Sequence, residues 1–148
     1  LLTHFFAPNE VAEIWITFPD PQMKKATKRL TSTYFMQRYA QLLQKDGLIH
    51  LKTDSPFLYT YTQAMVKENN YPLLVDTDDL YAAQATADID EARSLQTHYE
   101  HQWLDRGLTI KYLRWELSHC DNLIEPDIDI EKDTYRSYGR NYVSSTNN

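Results

Sequence analysis

A chain of 148 residues is long enough for one domain with one hydrophobic core. Its 42% hydrophobic and 24% charged content fits a soluble globular fold; no apolar run approaches the roughly 18 residues of a membrane span, and the first ten residues lack the basic-then-apolar order of a secretory signal. The net charge of −6 argues against wholesale nucleic-acid binding, yet Lys24, Lys25, Lys28 and Arg29 carry +4 and leave −10 for the rest, a local basic patch on an acidic body.

The chain opens on Leu1 rather than Met and reads as part of a longer polypeptide. Residues 13–18, EIWITF, are β-branched and aromatic and are closed by Pro19, which predicts a strand. Residues 28–44 place Leu30, Tyr34, Phe35, Leu42 and Leu43 at helical spacing, and Gly47 in KDG predicts a helix stop through a left-handed turn. LIHLKT, 48–53, predicts a second strand. In the following DSP, Asp54 or Ser55 can cap a helix with Pro56 in its first turn, running to about Glu68. PLLVDTD, 72–78, predicts a third strand, and the acidic, small-residue stretch 79–91 a loop. Residues 92–106 predict a helix with Leu95, Tyr99 and Trp103 every four positions, ended by Gly107. The last strand, 108–117, has apolar residues that do not alternate, as burial on both faces requires. Residues 118–148 form a polar extension with no assigned element, so the chain divides into 1–117 and 118–148.

Strands alternating with helices imply an α/β sheet with right-handed crossovers, mostly parallel, with its ligand site beyond the carboxyl ends of the strands. Two strands end alike, in TFPD at 17–20 and KTD at 52–54, which makes Asp20 and Asp54 the leading site candidates. The only glycines, Gly47, Gly107 and Gly139, are far apart, so the chain builds no Gly-rich phosphate loop. The single cysteine, Cys120, cannot form an internal disulfide and fits a reducing, cytoplasmic compartment.

The cation cluster reads as a solvated face or as a grip on phosphates by Lys24, Lys25, Lys28 and Arg29. Cations sit poorly at a helix N-terminus, which favours the ligand. Thr97 and Glu100 lie three apart and share a helix face, open to one pocket, while Tyr99 packs with Leu95 and Trp103. His98, Glu100 and His101 are too few for a metal site. Residues 76–88 fail as a calcium loop because Tyr81 stands where glycine is needed. HCD at 119–121 is no triad, since adjacency does not give catalytic geometry. Tyr135, Tyr138 and Tyr142 recur at helical spacing, suited to packing or to base stacking.

FPDP with its Lys/Arg cluster, then KTD, then THYE at 97–100, resembles the bacterial tRNA (guanine-N7)-methyltransferase family over roughly residues 5–117. The resemblance implies a Rossmann-like class I methyltransferase that uses S-adenosylmethionine to methylate a guanine in the variable loop of tRNA. It implies a catalytic and cofactor-contacting role for Asp20, a tRNA contact for Lys24, and substrate contacts for Asp54 and for Thr97, His98, Tyr99 and Glu100. Gln22 departs from the family's usual Trp, and the basic segment is less Arg-rich. The family's first three strands, which carry the Gly-rich turn, have no counterpart here. The expectation is therefore the C-terminal part of such a sheet, with about four strands, an antiparallel last strand and about three helices. The tRNA- and guanine-facing half of the site would be present, and this part alone would be inactive. The other reading is a non-catalytic RNA-binding module on a truncated methyltransferase fold. In either case the outer edge of strand 13–18 would be unpaired and would seek a partner, through dimerisation or through a separate N-terminal half. No membrane partner is expected.

Overall fold

The computed structural model describes residues 9–134. Its four-stranded sheet has the order β1-β2-β4-β3, formed by β1 (Val11–Thr17), β2 (Leu43–Thr53), β3 (Leu73–Thr77) and β4 (Lys111–Glu116). β1 and β2 run parallel, and β4 lies antiparallel between β2 and β3. Strands β1, β2 and β3 therefore share one direction, and only the last strand opposes it, as the sequence predicts. Their carboxyl tips, with the start of β4, lie along one edge of the sheet.

The helices differ from expectation in three places, each for a local reason. The helix expected over 28–44 is a short 3-10 turn, Ala26–Lys28, followed by α1 (Thr33–Ala40). The break falls at Ser32, whose hydroxyl accepts from the Phe35 amide at 3.4 Å and caps α1. The helix expected over 92–106 is two helices, α3 (Ala87–Ser94) and α4 (His98–Asp105), so α3 begins inside the stretch read as a loop. Thr86 caps the first and Thr97 the second. Gly47 stops no helix. It lies in an irregular part of β2, where pairing jumps from Val11↔Leu43 to Glu13↔Leu48. Asp46 takes the left-handed conformation there, with φ 57°. Gly47 is needed for close approach, because a Cβ would meet the Leu43 side chain at 2.9 Å. Gly107, at φ 75°, does end α4 by the left-handed route.

α2 (Pro56–Glu68) buries Phe57, Leu58, Tyr61, Thr62, Met65 and Val66, a stripe at helical period. It packs with α1 on the sheet face formed by Ile16, Ile49, Leu51, Leu113 and Trp115. Each fully buried side chain of this kind contributes about 1.5–3 kcal/mol. The opposite face packs Tyr112 against Leu80, Ile89 and Ala92. β4 is thus buried on both faces, which explains its lack of alternation.

That second face also holds a polar layer. His50 is fully buried, stacked on Trp15 with ring centroids 3.7 Å apart. Its Nδ1 lies 2.7 Å from the Tyr112 hydroxyl and its Nε2 3.2 Å from Glu13 Oε1. A neutral ring that accepts from Tyr112 and donates to Glu13 satisfies both contacts. Burial, with the Arg114 charge added, lowers the His50 pKa to about 4.

Candidate functional site

Asp20 follows β1 in a segment of unusual backbone. Phe18 and Gln22, on either side of it, both have positive φ, 50° and 48°. Neither side chain favours the left-handed region, and such residues cost about 1–3 kcal/mol each. Strain of this kind persists where surrounding contacts enforce it. Here the Phe18 amide donates to the Lys52 carbonyl at 2.8 Å, and Pro19 and Pro21 are buried. Asp20 itself is exposed, with Oδ1 accepting from the Gln22 amide at 2.9 Å.

Asp54 follows β2, on the strand tip next to that of β1. It is 1% exposed. The cap of α2 is Ser55, which accepts from the Leu58 amide at 3.0 Å, so capping is not the role of Asp54. Across the sheet, Thr53 pairs with Lys111 at the start of β4. The buried Lys111 ammonium donates to the Thr109 carbonyl at 3.1 Å and to its hydroxyl at 2.5 Å. Burial pushes Lys111 below the ordinary lysine range, against the pull of Asp54, Asp78, Asp79 and Asp133. Lys111 belongs to none of the sequence motifs. The available signal is a lysine inside an apolar run.

The basic segment divides. Lys24, Lys25 and Lys28 are exposed. Arg29 is 8% exposed and turned inward, its guanidinium 4.8 Å from the Phe57 ring centre and 4.5 Å from that of Tyr61. It donates to the Gln22 carbonyl at 3.0 Å and to the Met23 carbonyl at 3.3 Å. Arg29 therefore pins the segment that bears the three lysines. Those lysines precede α1 rather than occupying its first turn, so the expected clash with a helix dipole does not arise. The amide of Thr33, in the first turn of α1, instead meets a carboxylate, Glu125 Oε2, at 2.9 Å.

The THYE motif starts α4. The Thr97 hydroxyl caps it by accepting from the Glu100 amide at 3.2 Å. His98 is exposed, within 3.2 Å of Gln102. Tyr99 belongs to α4, and its side chain lies outside the described structure. Its expected neighbours are on separate elements, since Leu95 ends α3 and Trp103 is in α4. Glu100 has no solvent exposure. Its Oε2 meets Lys52 Nζ at 2.8 Å, and its Oε1 accepts from the Tyr81 hydroxyl at 2.6 Å. Burial lowers the Lys52 pKa, while the Glu100 contact opposes that shift. Lys52 also donates to the carbonyls of Ala92 at 2.7 Å and Leu95 at 3.1 Å. It thus places a cation at the end of α3 and holds an anion in the first turn of α4.

The three sequence motifs therefore converge on one residue. Lys52 belongs to KTD, its carbonyl holds FPDP through Phe18, and its ammonium holds THYE through Glu100. Exposed carboxylates follow two of the parallel strands, Asp20 after β1 and Asp78 after β3. Lys24, Lys25 and Lys28 are exposed on the segment after FPDP, and His98 is exposed in the first turn of α4. No cluster of His, Cys, Asp and Glu suited to a metal occurs among the described residues. No described helix is long and apolar enough to cross a membrane.

An open α/β sheet with its final strand inserted antiparallel is consistent with a methyltransferase-type domain, whose ligand would lie beyond the carboxyl ends of the parallel strands. A family model described as "Putative methyltransferase" matches residues 1–113, and the chain belongs to that methyltransferase family. It is 56% identical over 140 residues to a tRNA (guanine-N(7)-)-methyltransferase of Bacteroides thetaiotaomicron, covering 95% of this chain and 54% of the relative. A protein of the same name in Porphyromonas gingivalis is 57% identical over 141 residues, covering 95% of this chain and 57% of the relative. Another, in Mycoplasma pneumoniae, is 33% identical over 119 residues, covering 78% and 54%. The chain spans about half the length of the curated relatives it matches.

Proposed function

We propose that this chain forms the guanine- and tRNA-facing side of an S-adenosylmethionine-dependent tRNA (guanine-N7)-methyltransferase acting on the variable loop in the cytoplasm. The observation that carries the reading is the convergence of FPDP, KTD and THYE on Lys52. Motifs separated by up to 80 residues in sequence are tied to one lysine near the tip of β2, as parts of one site would be.

The chemistry suits the residues. Guanine N7 offers an in-plane lone pair and carries no proton, so methylation needs no general base. The protein's contribution is alignment and electrostatics. Asp20, exposed on a rigid, strained segment, orients the base and favours the positive charge that develops on the purine. The exposed Asp20 carboxylate also suits the N1–H and N2–H donors of guanine. Asp54, 1% exposed, is enclosed at the β2 tip and acts on the substrate through its support of that tip. Thr97, His98 and Tyr99 present the start of α4 to the substrate, and Glu100 acts through its placement of that turn. Lys24, Lys25 and Lys28 contact phosphates, while Arg29 holds their segment in place.

S-adenosylmethionine, when bound, supplies a methyl group on a sulfonium centre. Of the residues described, Asp20 suits contact with that cationic cofactor, being an exposed carboxylate at a parallel strand tip. Among the described residues β1 pairs with β2 alone. Its outer edge is the proposed place for a further strand or a second copy. One substitution tests the reading in the protein at its natural full length. Asp20→Asn should lower kcat for tRNA methylation at least about 100-fold, as loss of a transition-state electrostatic group does, with tRNA affinity retained. An unchanged kcat would refute the role of Asp20.

A further inference from the structure

Residues 118–134 form a strap laid along α2, from its C-terminal end to its N-terminal end. At the start of the strap, Tyr71 donates to the His119 carbonyl at 2.8 Å, and His119 Nε2 lies 2.8 Å from the Asn69 carbonyl. The Asn69 amide group then brackets Ile124, donating to its carbonyl at 2.9 Å and accepting from its N–H at 2.7 Å. Midway, Glu125 accepts from the hydroxyls of Tyr61 and Thr33, both at 2.6 Å. At the far end Asp133, 5% exposed, accepts from the Phe57 amide at 3.0 Å and from the Ser55 hydroxyl. Its own amide donates to Met23 Sδ at 3.3 Å.

Asp133 thus bridges two segments far apart in sequence, which Arg29 also joins through its bonds to the Gln22 and Met23 carbonyls and its packing on Phe57. One is 22–25, which follows Asp20 and carries Lys24. The other is the first turn of α2, which follows Asp54 directly. A carboxylate suits that turn, where amides point outward and the helix dipole is positive. Segment 18–25 has two left-handed residues, so it depends on outside anchors. Lys52 holds its beginning, while Arg29 and Asp133 hold its end.

We propose that Asp133 is a positioning residue, a clamp that fixes the Asp20–Lys24 segment against the α2 turn behind Asp54 and makes the strap part of the substrate-handling apparatus. The link to substrate rests on the reading of these segments as tRNA-facing. The clamp itself does not.

The test compares the protein at its natural full length with its Asp133→Asn, Met23→Leu and Asn69→Ala variants by residue-resolved amide exchange, melting temperature and binding of unmodified tRNA. Asn69→Ala loosens the strap at its opposite end and serves as the control for general destabilisation. Met23→Leu removes the sulfur acceptor at nearly constant volume and is expected to fold. Asp133→Asn should speed exchange at Gln22, Lys25 and Phe57 about tenfold relative to the rest of the sheet and weaken tRNA binding several-fold. Met23→Leu should reproduce the change at Gln22 and Lys25. Asn69→Ala should lower the melting temperature and leave those two amides as in the wild type. Exchange at Gln22 and Lys25 that is unchanged in both Asp133→Asn and Met23→Leu, or altered equally by Asn69→Ala, would overturn the clamp. Failure of the wild type to bind tRNA would refute the tRNA-facing reading, and the exchange contrast would still decide the clamp.

Discussion

Lys52 Nζ and Glu100 Oε2 lie 2.8 Å apart, 48 residues distant in sequence, with neither side chain exposed to solvent. Glu100 completes its shell with Tyr81, and Lys52 with two helix-end carbonyls. This satisfaction is what makes a buried ion pair tolerable. It also makes each partner dependent on the other. Glu100→Gln should destabilise the fold by about 3–5 kcal/mol, because the ammonium is left buried without its counter-charge. Lys52→Met should cost a similar amount, and Lys52→Met with Glu100→Gln should cost less than the sum of the two single changes. Urea unfolding of the four proteins checks this, and strict additivity would show that the pair is not coupled.

The basic segment makes an opposite pair of predictions. Arg29→Met should lower stability by about 2–3 kcal/mol, since the guanidinium packs on two rings and makes two hydrogen bonds that methionine cannot replace. Lys24→Glu with Lys25→Glu should leave stability within about 0.5 kcal/mol, because both side chains are exposed. The double change should nevertheless weaken tRNA binding. It should also reduce the slope of log affinity against log salt by about 0.7–0.9 for each phosphate that is no longer neutralised. Filter binding at several salt concentrations measures the slope.

His50 sets an acid limit. Its pKa is about 4 in the fold, where burial keeps the ring neutral, against about 6.5 in the unfolded chain. Between these values the unfolded chain takes up a proton that the native ring refuses. Stability contributed by this group is therefore complete above pH 6.5 and falls as the pH drops toward 4, by about 3 kcal/mol in all. Urea midpoints at pH 7 and pH 4.5 should show this loss in the wild type, and His50→Gln should flatten that part of the profile.

Much of this is legible in the sequence. β-branched runs mark the strands, and the strand-helix order implies the fold class. The carboxylates Asp20 and Asp54 stand out because strand ends are where α/β sheets bind. What is not legible has a common physical cause. Lys52, Arg29 and Lys111 are cations whose local context is a strand or a surface patch. Their roles depend on groups far along the chain, such as Glu100, Phe57 and Asp133. Periodicity carries no information about such contacts. The split of helix 92–106 has the same origin: Lys52 takes the carbonyls of Ala92 and Leu95, so the chain turns there despite good spacing. The strap is illegible because it has no regular period, and its order comes from scattered groups on and around α2, among them Ser55, Tyr61, Asn69 and Tyr71. Tyr135, Tyr138 and Tyr142 lie outside the described residues.

The outer edge of β1 predicts association. Among the described residues this strand has β2 as its one neighbour. An open strand edge recruits another strand. Light scattering of the 148-residue chain at high concentration should give a mass above the monomer's 17.5 kDa. A monomer throughout would show that the edge is protected.

Transfer of label from S-adenosylmethionine to unmodified tRNA tests the central claim most directly, when the protein is used at its natural full length and the product is mapped by chemical cleavage at N7-methylguanine. One labelled guanine, in the variable loop, is expected, and its label should be lost with Asp20→Asn. Label at another position, or full transfer by the Asp20→Asn protein, would contradict the claim.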